Sequence, residues 1–418
     1  MANAVTQSIL VVGGGMSGLT AAIEAAEAGH EVYLVEKNPY LGGRVAQLHQ
    51  YFPKLCPPYC GLEINFRRIK NSPKIRFFTQ AEVEAVSGLA GNFDVSIKLN
   101  PRYVNEKCTA CGKCAEACTA EIDNPFNYGM DKIKAAYLPH EMAFPLRYVI
   151  DPDFAKSAEA KKVQEACPYQ AVELDMAPKS VALKVGAIVW ATGWSPYDPT
   201  KLDTYGFEKS ENLITNVMME RLAAGNGPTQ GKIVRPSDGA APQTVAFIQC
   251  AGSRDENHLP FCSSICCMAS MKQATYVREQ YPDAKIYIFY IDIRAMDRLE
   301  DFYQKVKEDQ NIVFFKGKVA KIEEDPATKN LVLRVEDTVA GALQQITVDL
   351  AVLATGMQPN TALSPVPGSV NYDDYGFLGN GKAGFIAAGC TKTPAGVSES
   401  VQDGTAAALK AIQSIARR

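Results

Sequence analysis

At 418 residues the chain is long enough for about two or three domains, each with its own core. Hydrophobic residues at 47% and charged residues at 21% describe a globular protein. A formal net charge of −3 leaves no basic excess to favour nucleic acid or an anionic membrane surface. The longest apolar run, around Ile286–Ile293, falls well short of the roughly 18 residues of a membrane span and reads as a buried strand. The opening MANAVTQSILVVGGG lacks a charged n-region and passes directly into a strand, so no secretory signal is visible. Without export, 12 cysteines in groups favour metal or redox chemistry over disulfides.

In chain order, Ser8–Val12 reads as a strand, Gly13–Gly18 as a turn, Leu19–Ala28 as a helix and Glu31–Val35 as the next strand. This βαβ unit predicts an α/β fold with a parallel, doubly wound sheet. The turn Gly13-Gly-Gly15-Met-Ser17-Gly18 fits G-x-G-x-x-G, in which glycines permit a tight turn, approach of the backbone to a pyrophosphate, and close helix–sheet packing. Glu36, at the end of the second strand and followed by Lys37, is placed to accept from a ribose hydroxyl and argues against a 2′-phosphate. Gly42-Gly43-Arg44 extends the pattern as in FAD proteins, with Arg44 reaching phosphate or flavin. The cofactor predicted is FAD.

Cys56-Pro-Pro-Tyr-Cys60 has three residues between its thiols where a dithiol active site normally has two, and it stays open between redox disulfide, flavin-lining pair and packing. The basic run Phe66–Lys70 reads as a solvated helix face. Lys74–Asn100 and Asn311–Glu336 then share an FF pair and a strand–strand pattern, a weak internal repeat. The second copy continues after a short gap to VDLAVLATG, ending at Gly356. The first reaches the matching VGAIVWATG, ending in Thr192-Gly193, only after an insertion from Pro101 to about Pro178.

The insertion carries Cys108-x2-Cys111-x2-Cys114-x3-Cys118, the bacterial ferredoxin run, and the remote Cys167-Pro168. Cys118 precedes threonine rather than proline, and no partner triplet precedes Cys167. One [4Fe–4S] cluster on Cys108, Cys111, Cys114 and Cys167 is therefore expected, with Cys118 left over.

In the second copy Gln243–Gln249 reads as a strand, Ser270–Gln280 as a helix and Lys285–Asp292 as a further strand. Cys250-Ala-Gly-Ser stands where a second glycine turn would receive a nicotinamide dinucleotide. Cys250, Cys262, Cys266 and Cys267 are expected to hold a second [4Fe–4S] cluster there. Near the C-terminus, Gly389 and Cys390 of GFIAAGC are expected to contact FAD through the backbone. The four histidines show no ligand spacing, and no side chain is demanded as acid, base or nucleophile. The domains so read are an FAD-binding domain in three parts (1–100, 179–236, 346–418), the ferredoxin-like insert (101–178), and a degenerate NAD-type domain (237–345).

Together VVGGGMSGLTAA, CTACGKCAEAC, AAYLPHEMAFPLRYVIDP, CAGSRD, FCSSICC and GFIAAGC resemble the A-subunit family of heterodisulfide reductases, thioredoxin-reductase-like FAD proteins with an inserted ferredoxin module. The resemblance covers nearly the whole chain and assigns Cys250, Cys262, Cys266 and Cys267 to that family's flavin-proximal cluster. The extra N-terminal cluster domain, the C-terminal ferredoxin domains and half of the inserted ferredoxin of the methanogenic proteins are missing. In this, and in CPPYCGLEINFRRIK, the chain is most similar to the A subunits of the quinone-interacting membrane-bound oxidoreductases of sulfate reducers. That resemblance implies electron transfer from menaquinol toward adenylylsulfate reductase. It also implies two partners, a related B-type flavin and iron–sulfur subunit, and a haem-bearing, quinone-reactive membrane subunit, with this chain peripheral on the cytoplasmic face of the membrane. The rival expectations are a soluble heterodisulfide-reductase-like complex acting on thiols or in sulfur oxidation, and an assembly scaffold with vestigial cofactors.

Overall fold

The computed structural model describes residues 5–379 and 383–416. Met1–Ala4, the start of the segment read as free of a signal, lie outside the described residues. The chain divides into two compact units, one of Met1–Ala46, Tyr59–Trp194 and Pro359–Arg418, the other of Gln47–Pro58 and Ser195–Gln358.

In the first unit five parallel strands lie in the order Phe385–Ala387, Ala187–Trp190, Ile9–Val12, Val32–Val35, Ile75–Phe78. Ile9, Leu10 and Val11 are wholly buried, as parallel strands covered on both faces require. The helix following the first strand runs Met16–Glu27, so it starts at the glycine turn itself rather than at Leu19. Leu19, Ala22, Ile23 and Ala26 fill the core beneath it. The C-terminal helix Val397–Ala416 lies against it at Gly404, where a Cβ would stand 2.6 Å from the Ser17 carbonyl oxygen. An antiparallel layer of Ala81–Leu89, Asn92–Leu99 and Lys179–Val185 completes the scaffold.

That layer explains how the chain tolerates its insertion. Leu99 pairs directly with Lys179, so the excursion leaves and re-enters at neighbouring points. The inserted residues have two small antiparallel pairs, Glu121–Asp123 with Lys132–Lys134 and Ala136–Tyr137 with Val149–Ile150. Their core of Val104, Ala136, Ile150, Phe154, Val163 and Val172 includes the Cys114 and Cys118 side chains.

The second unit is built on a seven-stranded sheet in the order Leu213–Thr215, Leu350–Thr355, Thr244–Ala251, Lys285–Tyr290, Ile312–Glu324, Leu331–Asp337, Ala342–Val348. Its first five strands are parallel and its last two run antiparallel to their neighbours. The expected boundaries at 236/237 and 345/346 shift outward here. Leu213–Thr215 and Leu350–Thr355 are strands of this sheet, so 195–236 and 346–358 go with it. Gln47–Pro58 also belongs to this unit, which no sequence pattern marked. Buried Lys272 donates to the Gln50 carbonyl at 2.7 Å and pairs with Glu220 at 2.9 Å, while Glu220 accepts from the His49 backbone N–H at 3.0 Å. Among the described residues no helix is long and apolar enough to cross a membrane.

Candidate functional site

The glycine turn in the first unit separates into packing glycines and one that faces outward. At Gly13, with φ +111°, a Cβ would stand 2.1 Å from the Ala191 carbonyl oxygen, and at Gly18 it would stand 1.8 Å from that of Gly13. Around Gly15 the nearest atom is the Gly43 Cα at 3.9 Å, so the space over Gly15 is an open cradle that a side chain would enter. Gly15 caps the helix without any side-chain cap, which directs the first N–H groups and the positive end of the helix dipole at that space. Gly43, with φ +56°, approaches so closely that its own Cβ would lie 2.8 Å from the Gly15 Cα.

Glu36 accepts from the backbone N–H of Gly14 at 2.6 Å and of Asn38 at 2.7 Å. Burial pushes its carboxyl above the usual range, against the pull of these bonds. Lys37 is exposed at the strand end. Arg44 donates to the Trp194 carbonyl at 2.6 Å and to the Tyr128 hydroxyl at 3.2 Å, and its guanidinium lies 5.0 Å from the Trp194 ring centre. Thr192, Gly193, Gly389 and Cys390 converge on the same sheet ends. Thr391 accepts from the Gly193 N–H at 3.0 Å, and the Gly389 N–H donates to Asp403 at 2.7 Å. Gly389 has φ +60°, and a Cβ there would stand 2.0 Å from the Ser17 hydroxyl. Cys390 is buried and directs its thiol to the Ala395 carbonyl at 3.4 Å. Thr391, Asn360, which donates to the Thr192 carbonyl at 2.6 Å, and Asp403 complete this lining but carry no local motif. An open glycine cradle at a helix start, with a buried acid beside it, fits the pyrophosphate and ribose of a dinucleotide.

In the insert, Cys108, Cys111, Cys114 and Cys167 line one cavity together with Val104, Tyr148, Tyr169 and Val172. The backbone turns sharply around it, with Ala110 and Gly112 at positive φ. The Ala110 N–H points to the Cys108 sulfur at 3.5 Å and the Ala171 N–H to that of Cys167 at 3.3 Å. Burial pushes the Cys114 thiol up to about 12, with Cys108 and Cys167 adding to the rise. Cys118 points elsewhere, buried, with its thiol toward the Ala120 carbonyl at 3.5 Å.

In the second unit Cys250 sits at a bulge of the strand Thr244–Ala251 with φ +56°, a conformation that residues other than glycine rarely take. The following helix starts at Cys266 and not at Ser270, so Cys266 and Cys267 lie in its first turn. Burial lifts the Cys266 thiol well above its ordinary value, and Cys250, Cys267 and Cys262 each raise it further. Burial pushes Cys250 up to about 11, again with Cys267 and Cys262 contributing. The Ser264 N–H points to the Cys262 sulfur at 3.4 Å and the Arg294 N–H to that of Cys267 at 3.5 Å. Among the described residues no three His, Cys, Asp or Glu side chains converge on a single ion. A cubane spreads its thiolates over the corners of a larger body, and crowded thiols lined by backbone N–H groups fit such a positively charged core. Cys56, in the Gln47–Pro58 segment, and Cys60, on the helix Tyr59–Asn71, are both exposed. On that helix Arg67 pairs with Glu63 and Arg68 with Glu27, the solvated face expected.

Two dinucleotide-type units, the first with a complete glycine cradle, make up an α/β fold of the thioredoxin reductase type. The fold matches the thioredoxin reductases of Lactococcus lactis (TM-score 0.54, 12% identity, 99% of this chain and 100% of that one) and T. acidophilum (TM-score 0.53, 14% identity, 97% and 98%). The FAD dependent oxidoreductase family matches residues 8–61. Over nearly its whole length the chain is 40% identical to iron-sulfur A-subunit 2 of the CoB–CoM heterodisulfide reductase of Methanopyrus kandleri, across 99% of this chain and 65% of that protein. It is 42% identical to the corresponding iron-sulfur A-subunit of Methanocaldococcus jannaschii, across 85% and 54%. Over most of its length the chain is thus similar to the A subunits of heterodisulfide reductases, and it spans about half to two thirds of the length of these curated relatives.

Proposed function

We propose that this chain is the electron-transfer subunit of a larger oxidoreductase complex, holding FAD non-covalently and two [4Fe–4S] clusters. The first unit's cradle holds the FAD pyrophosphate against Gly15, Gly43 and the helix start, with Glu36 on the ribose. Cys108, Cys111, Cys114 and Cys167 hold one cluster, and Cys250, Cys262, Cys266 and Cys267 the other. The flavin exchanges electrons in pairs and the clusters singly, which is the chemistry these groups supply when bound. The protein's own part is to hold the thiolates, neutralise their charge and exclude water. The observation that carries this reading is the single cavity lined by Cys108, Cys111, Cys114 and Cys167 in a chain whose first unit has the dinucleotide cradle; the bulge at Cys250 and the helix start at Cys266 and Cys267 support the second set.

The finer role supported by the sequence resemblance is relay of electrons from menaquinol toward adenylylsulfate reductase in dissimilatory sulfate reduction. The chain works beside a B-type flavin and iron–sulfur subunit, together with a haem-bearing membrane subunit, and is peripheral on the cytoplasmic face through them. The names of the curated relatives favour a second reading, an A-type component of a complex that reduces a heterodisulfide. The test is rapid mixing of the chain, assembled with its co-purifying subunits, with a menaquinol analogue and separately, after reduction, with CoB–CoM heterodisulfide. Flavin bleaching by the quinol supports the first role. Reoxidation by the heterodisulfide with no response to quinol would establish the second.

A further inference from the structure

Cys250 and Cys262 are joined by a compact loop in which the Leu259 N–H donates to the Gly252 carbonyl at 3.0 Å and the Asp255 N–H to the Leu259 carbonyl at 3.1 Å. Arg254 lies within this loop. Its own N–H donates to the Phe261 carbonyl at 3.1 Å, immediately before Cys262, and it adopts φ +55° to do so. Its guanidinium is ion-paired with Asp292, on the segment that leaves the strand Lys285–Tyr290. Asp292 is also 3.4 Å from Arg294, whose backbone N–H points to the Cys267 sulfur at 3.5 Å, and the Asp292 carbonyl lies 3.7 Å from that sulfur. One acid thus ties two cations to the segments that carry three of the four thiols. The Arg254 side chain is only 23% exposed, so its charge is screened less than that of a surface arginine.

Beside the insert's cysteine set, Lys113, next to Cys114, is exposed and paired with Glu116 at 2.7 Å, while buried Arg102 is held by the Tyr148, Arg147 and Pro39 carbonyls.

We propose that Arg254 is a positioning residue for electron transfer, its guanidinium fixed by Asp292 so as to offset the thiolate charge of Cys250, Cys262, Cys266 and Cys267 and raise the reduction potential of the cluster they hold. Four thiolates outweigh the charge of the iron–sulfur core, and adding one electron deepens the excess. A fixed cation therefore stabilises the reduced form more than the oxidised form. This rests on the cluster assignment above.

The test is a reductive titration of the full chain followed by electron paramagnetic resonance, with iron counted for every variant. Arg254→Gln removes the charge and should shift one cluster signal to a more negative potential, by a change of about tenfold in its one-electron equilibrium constant, or about 59 mV. The other signal, assigned to the insert by its loss in Cys167→Ser, should stay in place. Arg254→Lys, which keeps the charge, should leave that signal near its parent potential. An Arg254→Gln protein with full iron and both potentials unmoved would overturn the proposal. If Arg254→Gln loses iron, Arg254→Lys decides. A lysine variant with full iron and a near-native potential supports a charge role, whereas one that also loses iron makes the arginine merely structural and overturns it. A wild-type chain with only about four irons and a single signal would instead sink the cluster assignment itself, a failure distinguishable from that of the arginine.

Discussion

Gly15→Val and Gly18→Ala sit three residues apart in the same turn and should fail in opposite ways. At Gly18 a Cβ meets the Gly13 carbonyl oxygen at 1.8 Å, inside any tolerated contact, and that oxygen belongs to backbone that cannot swing aside. Separating helix from strand to relieve it should cost about 1–3 kcal/mol, as over-packing of a buried contact does. At Gly15 the backbone is ordinary, with φ −78°, and the nearest atom to a new Cβ is 3.9 Å away. The apoprotein should therefore change in stability by no more than about 0.5 kcal/mol. The valine, however, projects into the cradle where pyrophosphate has to approach the helix start. A loss of at least about hundredfold in FAD affinity is expected, close to 2.8 kcal/mol at about 1.4 kcal/mol per tenfold. Chemical unfolding of the apoproteins and titration with FAD by flavin fluorescence measure the two effects separately. A Gly15→Val protein that binds FAD like the parent, or a Gly18→Ala protein that unfolds like it, would refute this division of the turn.

Glu36→Gln should show its effect in the pH dependence of the apoprotein. Burial raises the folded carboxyl above its unfolded value, so the folded state holds its proton more tightly and the stability it contributes is lost as pH rises through the folded pKa. The parent should thus lose stability relative to Glu36→Gln as pH climbs from the ordinary carboxylate range toward neutrality, read by urea unfolding at several pH values. A constant difference would count against a buried, strained carboxylate. Lys272→Met leaves the Glu220 charge buried without its partner, both side chains being 3% exposed, and should destabilise the second unit by about 3–5 kcal/mol. Adding Glu220→Gln should recover part of that loss in thermal melts, and no recovery would argue against coupling of the pair. With Cys250 rather than glycine at the second turn, the isolated chain should be a poor NAD(P)H oxidase. Stopped-flow mixing with NADH and NADPH should leave the flavin oxidised, and rapid bleaching at micromolar nucleotide would contradict the reading of that turn.

The strand–turn–helix of the first unit was legible because every constraint on it is local: an apolar strand, glycines at fixed offsets, an acid at the next strand end. The ferredoxin spacing likewise grouped Cys108, Cys111 and Cys114, and the structure lines one cavity with these and Cys167. What could not be read depends on contacts distant in sequence. Gln47–Pro58 joins the second unit through Lys272, and Gly389 is held by Asp403 on the following helix. The start of the helix at Cys266 was missed because Ile265 at its N-cap offers no capping side chain, so four residues read as loop. Leu213–Thr215, only three residues long, carries too little pattern to announce the sheet it extends. Arg254 carries no motif of its own in the sequence, and its pairing with Asp292 brings it to the segment beside Cys267.

The most direct measurement is joint quantification of flavin and iron in anaerobically purified full-length chain. About one FAD, released on denaturation, and about eight irons per chain are expected, with Cys266→Ser and Cys167→Ser each perturbing one distinct cluster signal and leaving the other intact. A chain that binds flavin but no more than about four irons, or whose two variants perturb the same signal, would contradict two separate clusters on the two cysteine sets.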